Sequence, residues 1–509
     1  MSTPCVINVD LADVWREPGR KEFLRTLGWG DEVTVLAETA AHLEIEVVYY
    51  KEQPDGAILP TKTTGFISPS KSSKIKLKDV VRPLDKNEVL KVNFVDVQQG
   101  DGAVIETPDG KVVLVDGGDN QLFARYLAGR FRGTSLEAPR PIDCILVTHG
   151  DADHFLGLPE IHKSETNTKK LKRLFIQPRR VYHNGLVKRP SKKNNKAVPD
   201  SQLLGPTKKV GKKTMLTGLV DDLLQVPDAE MNEPFREWKA ALKVYNQRSP
   251  ITFRRLQFGD EAAFDFLKTG DLRIEVLGPL TETVAGEPAL KFLGDPPEGP
   301  RVGHESVTLD EMDSGSLSAS HTINGHSIVF RLVYGGFSYL FAGDLNDEAS
   351  RFLARAHKEK KLELTADVFK VPHHGSADFS GAFFQAVSPV ISVVSSGDES
   401  ARKEYIHPRA TLMGALGKWS RVEEPLIFVT ELVAFFQVEG YSRVTDPKKN
   451  KKRGSFFGFS RAAFGIVKTR TDRKRLLVYT DSGNVKMKEA YAYALDADGV
   501  PQPSRVSRA

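Results

Sequence analysis

Through the middle of the chain, short apolar runs alternate with stretches whose apolar residues recur at helical spacing. Ile145–Val147, Leu272–Leu277, Val368–Val371 and Val390–Ser395 are brief, apolar and bounded by turn residues. Runs of that length read as strands, and the most continuous of them as strands buried on both faces. Gln121–Phe131, Met215–Leu224, Glu233–Tyr245, Glu348–His357 and Ala410–Leu416 instead space their apolar residues for one face of a helix. Strands and helices alternating in this way predict an α/β fold.

The two ends differ from the middle. Residues 1–80 alternate apolar and polar positions at the strand period, in VINVDLADVWREPGR, DEVTVLAET, HLEIEVVYY and TGFISPS. This pattern resembles a bacterial SH3-like barrel, in which Trp15, Trp29 and Tyr49 either line a groove or fill the core, the latter being the commoner use of such aromatics. Asp79–Glu88 reads as a linker. At the other end, 421–498 predicts a small β-rich appendage around a basic loop, and DGVPQPSRVSRA predicts a frayed tail. Residues 161–301 carry mixed signals, with a loop rich in Gly and Pro over 286–302, and read as an insertion.

With 509 residues, 40% hydrophobic and 27% charged, the chain is long enough for several soluble domains. Its apolar runs fall short of a membrane span. The N-terminus lacks a basic region followed by an apolar segment, so no secretory signal is read. Only Cys5 and Cys144 are present, which excludes a disulfide framework and suits a cytoplasmic location.

Candidate chemistry concentrates in Val147–Gly157, VTHGDADHFLG. His149, Asp151, Asp153 and His154 directly follow the strand Ile145–Val147, so they sit on a strand-to-helix turn where side chains converge. Imidazole and carboxylate together suit zinc, manganese or iron better than calcium or magnesium alone. Ionisable groups this close need one or two divalent cations to neutralise them.

The H-x-D-x-D-H spacing resembles the signature of the metallo-β-lactamase fold. Other motifs follow in that family's order: KVNFVDVQQGDGAVIETPDGKVVLVDGGD (91–119), SIVFRLVYGGFSYLFAGD (327–344), FKVPHHGS (369–376) and YIHP (405–408). As a set they are similar to the metallo-β-lactamase domain of ComEC-type competence proteins, over roughly 88–420. Gln98 stands where that family usually has Gly, and this chain lacks the family's membrane helices.

The resemblance implies an αββα sandwich carrying two divalent metal ions, zinc or manganese, with a bridging hydroxide as nucleophile. It places His149 and Asp151 on the first ion, Asp153 and His154 on the second, and Asp344 between them. His373, His374 and His407 complete the shells, with the choice between His373 and His374 open. His326 is a secondary candidate. Asp153, His374 and His407 are the expected catalytic residues, while Asp116 orients the ligand loop.

Between Lys163 and Lys213 the chain has 16 Lys or Arg and two acids, Glu165 and Asp200. A second basic run spans 447–461 and includes Phe456, Phe457 and Phe459. Such runs attract polyanions, although a charge run is often only a solvated surface. The leading expectation is therefore a phosphodiesterase, specifically a nuclease, with nucleic acid as partner. Two alternatives stand beside it. One is a hydrolase of a small phosphodiester, headgroup or lactone. The other is a non-catalytic, metal-stabilised scaffold whose SH3-like domain recruits a protein partner.

Overall fold

A computed structural model describes residues 2–53, 58–70, 74–294, 317–397, 407–433, 435–446, 451–463, 465–480 and 489–509. Two sheets form its centre. The first has ten strands in the order Thr252–Arg255, Arg180–His183, Cys144–Leu146, Val112–Asp116, Gly102–Glu106, Leu90–Val95, Ile466–Thr471, Arg475–Thr480, Ala490–Leu495 and Pro501–Ser504. The second has six: Arg273–Gly278, Val329–Tyr334, Phe337–Phe341, Val368–Lys370, Ile391–Val394 and Leu426–Val429.

The apolar runs are continuous because both faces of each central strand are covered. Val113 and Val115 join the core between the sheets, with Phe94, Phe330, Phe341 and Val393. Val112 and Leu114 turn the other way, toward helices Leu122–Arg130, Gly157–Ser164 and Glu233–Arg248. On the far side of the second sheet, Leu340 and Phe369 pack against helices Asp347–Lys358, Gly381–Val387 and Ala410–Lys418. The layers thus run helix, sheet, sheet, helix. Among the described residues, no helix is long and apolar enough to cross a membrane.

The insertion is woven into this frame. It supplies Arg180–His183 and Thr252–Arg255 to one edge of the first sheet, and Arg273–Gly278 to the second. Met215–Leu224, expected as a helix, is a strand over Lys213–Leu216 and a single 3-10 turn over Leu223–Gln225. Met215 and Leu216 pair with Lys291 and Leu290, so a distant partner overrides the local spacing.

The C-terminal strands are also not an appendage. Leu426–Val429 extends the second sheet beside Ile391–Val394, and Ile466–Thr471 pairs antiparallel with Leu90–Val95. Residues 447–450 of the second basic run lie outside the described residues. Lys451–Ala463 is a strand paired with Phe435–Asp446.

The N-terminal residues form a separate seven-stranded antiparallel sheet with register shifts at Val14/Trp15 and Val35/Ala37. Val81–Pro83, in the expected linker, pairs with Thr3–Ile7 as its last strand. Trp15 and Trp29 are buried and Tyr49 is exposed. Trp29 packs with Leu11, Val89, Leu477 and Tyr479, which joins this sheet to the sandwich.

The tail is docked, not frayed. Ser507 donates to Asp10 Oδ2 from its amide at 2.6 Å and its hydroxyl at 2.8 Å. Arg508 donates to both Asp13 oxygens, and the Ala509 amide donates to Leu11 O at 2.9 Å. Asp10, Asp13 and Ala509 are all buried. Truncation after Val500 therefore takes Ser507 and Arg508 from two buried carboxylates, leaving Arg475 on Asp10 and Thr26 on Asp13, a loss on the order of 2 kcal/mol. Urea unfolding should show a clearly lower midpoint for the truncated chain, and an unchanged midpoint would refute this role for the tail.

Candidate metal centre

The site lies at the carboxyl ends of parallel strands from both sheets, where an open α/β sheet leaves a crevice. Val112–Asp116 and Cys144–Leu146 run in parallel register, with Val115 opposite Leu146. Asp116 and Thr148 therefore emerge side by side. The Thr148 amide and hydroxyl each donate to Asp116 at 2.7 Å, and His154 Nδ1 lies 2.9 Å from the same carboxylate.

The one-turn helix Ala152–Phe155 then carries Asp153 and His154 inward. Backbone bonds pin its loop to two others. Gly117 N donates to His154 O at 2.7 Å, Gly118 N to Asp101 O at 2.8 Å, and Gly157 N to Gly118 O at 2.8 Å. At Gly100, φ is +105° and a Cβ would stand 1.8 Å from Asp153 O, so only glycine allows this crossing.

The second sheet contributes Asp344, just past Phe337–Phe341, whose amide donates to Ser327 Oγ at 3.0 Å. His373 and His374 follow Val368–Lys370 in a tight turn, both with positive φ, and His373 N donates to Gly343 O.

These segments bring four groups together. His154 Nε2 lies 3.1 Å from Asp344 Oδ1, and His374 Nε2 lies 3.2 Å from Asp344 Oδ2 and 3.4 Å from Asp153 Oδ2. One ligand atom from each of Asp153, His154, Asp344 and His374 lies within 4.8 Å of all the others. His149 Nε2 stands 3.9 Å from Asp344 Oδ2. The Nε2 atoms of His149, His154 and His374, and Asp344 Oδ1, are sealed from solvent and make no well-formed hydrogen bond among the described residues. Such groups are costly to bury unsatisfied, and a divalent cation coordinated by imidazole nitrogen and carboxylate oxygen satisfies all of them. The residues present fit a metal ion.

The rings are aimed from behind. His154 is held by Asp116. His374 Nδ1 lies 3.2 Å from Ser395 O and 3.3 Å from Asp101 Oδ1, and that carboxylate is met by the buried Lys370 Nζ at 2.7 Å. Outer partners of this kind fix ring orientation and raise ligand basicity.

Neighbouring carboxylates favour the charged form of two of these imidazoles. Burial alone would lower the imidazole of His154, but Asp344 and Asp116 outweigh it and hold His154 well above its ordinary value. Asp344, Asp101 and Asp153 do the same for His374 against the same burial. His149, buried and next to His154, is pushed down to about 4. A cation held by the cluster would compete with protons for the nitrogens of His154 and His374.

Asp151 is not among the four clustered groups, because its Oδ1 meets Lys188 Nζ at 2.9 Å. His373 and His407 line the adjoining pocket, their ring centroids 6.2 Å apart. Burial, with His374 and His373 nearby, brings His407 down to about 4. His326 is elsewhere: its Nε2 bonds to Lys291 O at 2.7 Å and it lines a separate cavity under helix Asp347–Lys358. Sequence reading assigned no role to Asp101, although QGD pointed to it, nor to Lys370 and Lys188. Nor did it find Gln99, Asn232, Ser320 and Asn324, which line a pocket of about 440 Å³ together with Asp153, Asp344 and His374.

Residues 95–173 match the Metallo-beta-lactamase superfamily. The chain is 40% identical over 86 residues to "Competence protein ComA" of Neisseria gonorrhoeae, covering 17% of this chain and 12% of that protein. It is 32% identical over 98 residues to "ComE operon protein 3" of Bacillus subtilis (strain 168), covering 19% and 12%. The aligned part is thus a small fraction of these relatives. Among solved structures, a point mutant of CmlA beta-hydroxylase aligns at a TM-score of 0.30 and 12% identity, over 70% of this chain and 54% of that one.

The geometry sets the four clustered groups apart from their neighbours. Equilibrium dialysis against zinc, read by elemental analysis, should show at least about tenfold weaker binding for His154→Ala and Asp344→Ala. His326→Ala should bind as the unmodified protein does. Weakening in His326→Ala alone would contradict this ligand set.

Proposed function

We propose that this metallo-β-lactamase domain, a hydrolase scaffold, cleaves phosphodiesters and that its substrate is nucleic acid. The observation carrying the reading is the convergence of Asp153, His154, Asp344 and His374, three of which also line a polar pocket. A divalent ion held by these four residues would lower the pKa of bound water toward neutrality and offset charge on phosphoryl oxygens.

The chain's own residues divide the remaining work. Asp153 and His374 hold the reacting centre, while Asp116, Asp101 and Lys370 keep its ligands oriented. His373 and His407, on the wall of the pocket, are placed to bond substrate oxygens. Asn232, Ser320 and Asn324 offer neutral donors and acceptors in the same pocket.

Charge favours a polymeric anion over a small ester. Lys192, Lys193 and Lys196 are exposed on a two-stranded hairpin, and Lys208, Lys209 and Lys212 on a second one. Both hairpins belong to the insertion that also sends Lys188 into the pocket. Cations on exposed hairpins suit a phosphate backbone, whose binding weakens steeply with salt. We read the curled N-terminal sheet as an SH3-like module, with exposed Tyr49 beneath the Arg25 guanidinium as part of a partner surface.

The test is incubation of the chain with Mn2+ or Zn2+ and single- or double-stranded DNA and RNA, alongside a chromogenic phosphodiester. Cleavage of nucleic acid should fall about 10²-fold or more in Asp153→Ala. Binding to the polymer should lose roughly 0.9 of its log–log salt slope for each phosphate contact removed in a Lys192/Lys193/Lys196→Gln variant. Absence of cleavage, or cleavage untouched by Asp153→Ala, would sink the proposal. Turnover of the small ester without salt-sensitive polymer binding would replace it with the small-substrate reading.

A further inference from the structure

Asp151 lies inside the HGDADH run, yet its partner is an ammonium group from 37 residues away. Lys188 belongs to the insertion, and its backbone is tied to the structure that supports the metal loop. Lys188 O accepts from Asn232 N at 2.8 Å. Asn232 caps helix Glu233–Arg248 by accepting from Phe235 N at 3.2 Å. The Phe235 ring in turn packs 4.8 Å from that of Phe155, the residue after His154. On the other side, Arg189 N donates to Leu203 O at 2.8 Å. The stem of Lys188 therefore starts from a fixed point beside the loop. Its side chain is 28% exposed and that of Asp151 19%, so the pair is half-shielded from water.

We propose that Lys188 is a built-in cation that holds Asp151 in place of a divalent ion. The protein then binds one ion tightly, on Asp153, His154, Asp344 and His374. It binds a second, on the His149–Asp151 side, only in competition with Lys188. The proposal rests on the reading that the cluster binds divalent metal.

Four clustered groups suffice for a tetrahedral or near-tetrahedral ion without Asp151. Beside them, 3.9 Å from Asp344 Oδ2, His149 Nε2 is sealed and has no hydrogen-bond partner among the described residues, so a further nitrogen ligand is in place. The nearest acid in the run, Asp151, already has an ammonium 2.9 Å from one oxygen. A divalent ion approaching the same carboxylate meets like charge at close range in a partly shielded site, where such repulsion is strong. Either the ion binds weakly or Lys188 swings out, and its flexible four-carbon stem permits that. Occupancy of the second position is thereby linked to what else draws Lys188 away, and an anionic substrate oxygen in the same pocket is of that kind.

Titration of metal-free full-length protein with Mn2+, with free ion followed by electron paramagnetic resonance and bound ion by elemental analysis, tests this without turnover. The unmodified chain should show one tight ion and one weak ion. Lys188→Met, which keeps the apolar stem, should tighten the second by about tenfold or more and leave the first unchanged. Lys188→Arg should retain the two-class isotherm, and Asp151→Asn should weaken the second class alone. Lys188→Gln provides the same comparison should the methionine variant fold poorly. Two equally tight ions in the unmodified chain, or superimposable isotherms for it and a charge-removing variant, would overturn the role of Lys188. Absence of any tight ion would overturn the metal centre itself, and the role of Lys188 with it. Tight binding without phosphodiester cleavage would count only against the proposed substrate.

Discussion

Carboxylates crowded into a water-poor crevice must be balanced, and that requirement organises the rest of this molecule. Asp101, Asp116, Asp153 and Asp344 converge on two imidazoles, and Asp101, Asp116 and Asp344 are almost fully buried. Each carboxylate has an answering group: Lys370 for Asp101, Thr148 and His154 for Asp116, His374 for Asp153, and both imidazoles for Asp344. Removing one partner from such a set costs more than an ordinary hydrogen bond, because it leaves a charge in low dielectric. The loops are held accordingly, by backbone bonds among glycines that have no room for a side chain.

The two sheets exist, from this viewpoint, to hold their ends together. Asp116 and His154 come from the first, and Asp344 and His374 from the second, so the cluster spans the sandwich. Its geometry depends on the core of Phe94, Phe330 and Phe341, whose rings stack between the layers. The C-terminal strands matter for the same reason. Ile466–Thr471 covers the edge of Leu90–Val95, the strand that leads into the Gln98–Asp101 turn.

How much of this was legible depended on how local the signal was. His149, Asp151, Asp153 and His154 announce themselves because they are nearly contiguous, and Asp344 and His374 because each ends an apolar run. Lys370 hid inside such a run, where a lone lysine looks like a strand's solvent-facing position. Lys188 hid in a basic stretch, which more often means a solvated surface. The strand character of Ile466–Thr471 was readable, but its pairing with Leu90–Val95, far earlier in the chain, was not, since alternation says nothing about partners. The tail failed for a related reason: its arginine and serine look unstructured until Asp10 and Asp13 are seen waiting for them. At Met215–Leu224 helical spacing lost to pairing with Leu290 and Lys291.

The central claim is that Asp153, His154, Asp344 and His374 hold a divalent ion. Anomalous diffraction from crystals grown with Mn2+ or Zn2+ tests it most directly. The account predicts a strong peak enclosed by Asp153 Oδ2, His154 Nε2, Asp344 and His374 Nε2, at distances of about 2.0–2.2 Å for zinc. Strong anomalous density elsewhere, with none between these four side chains, would contradict it.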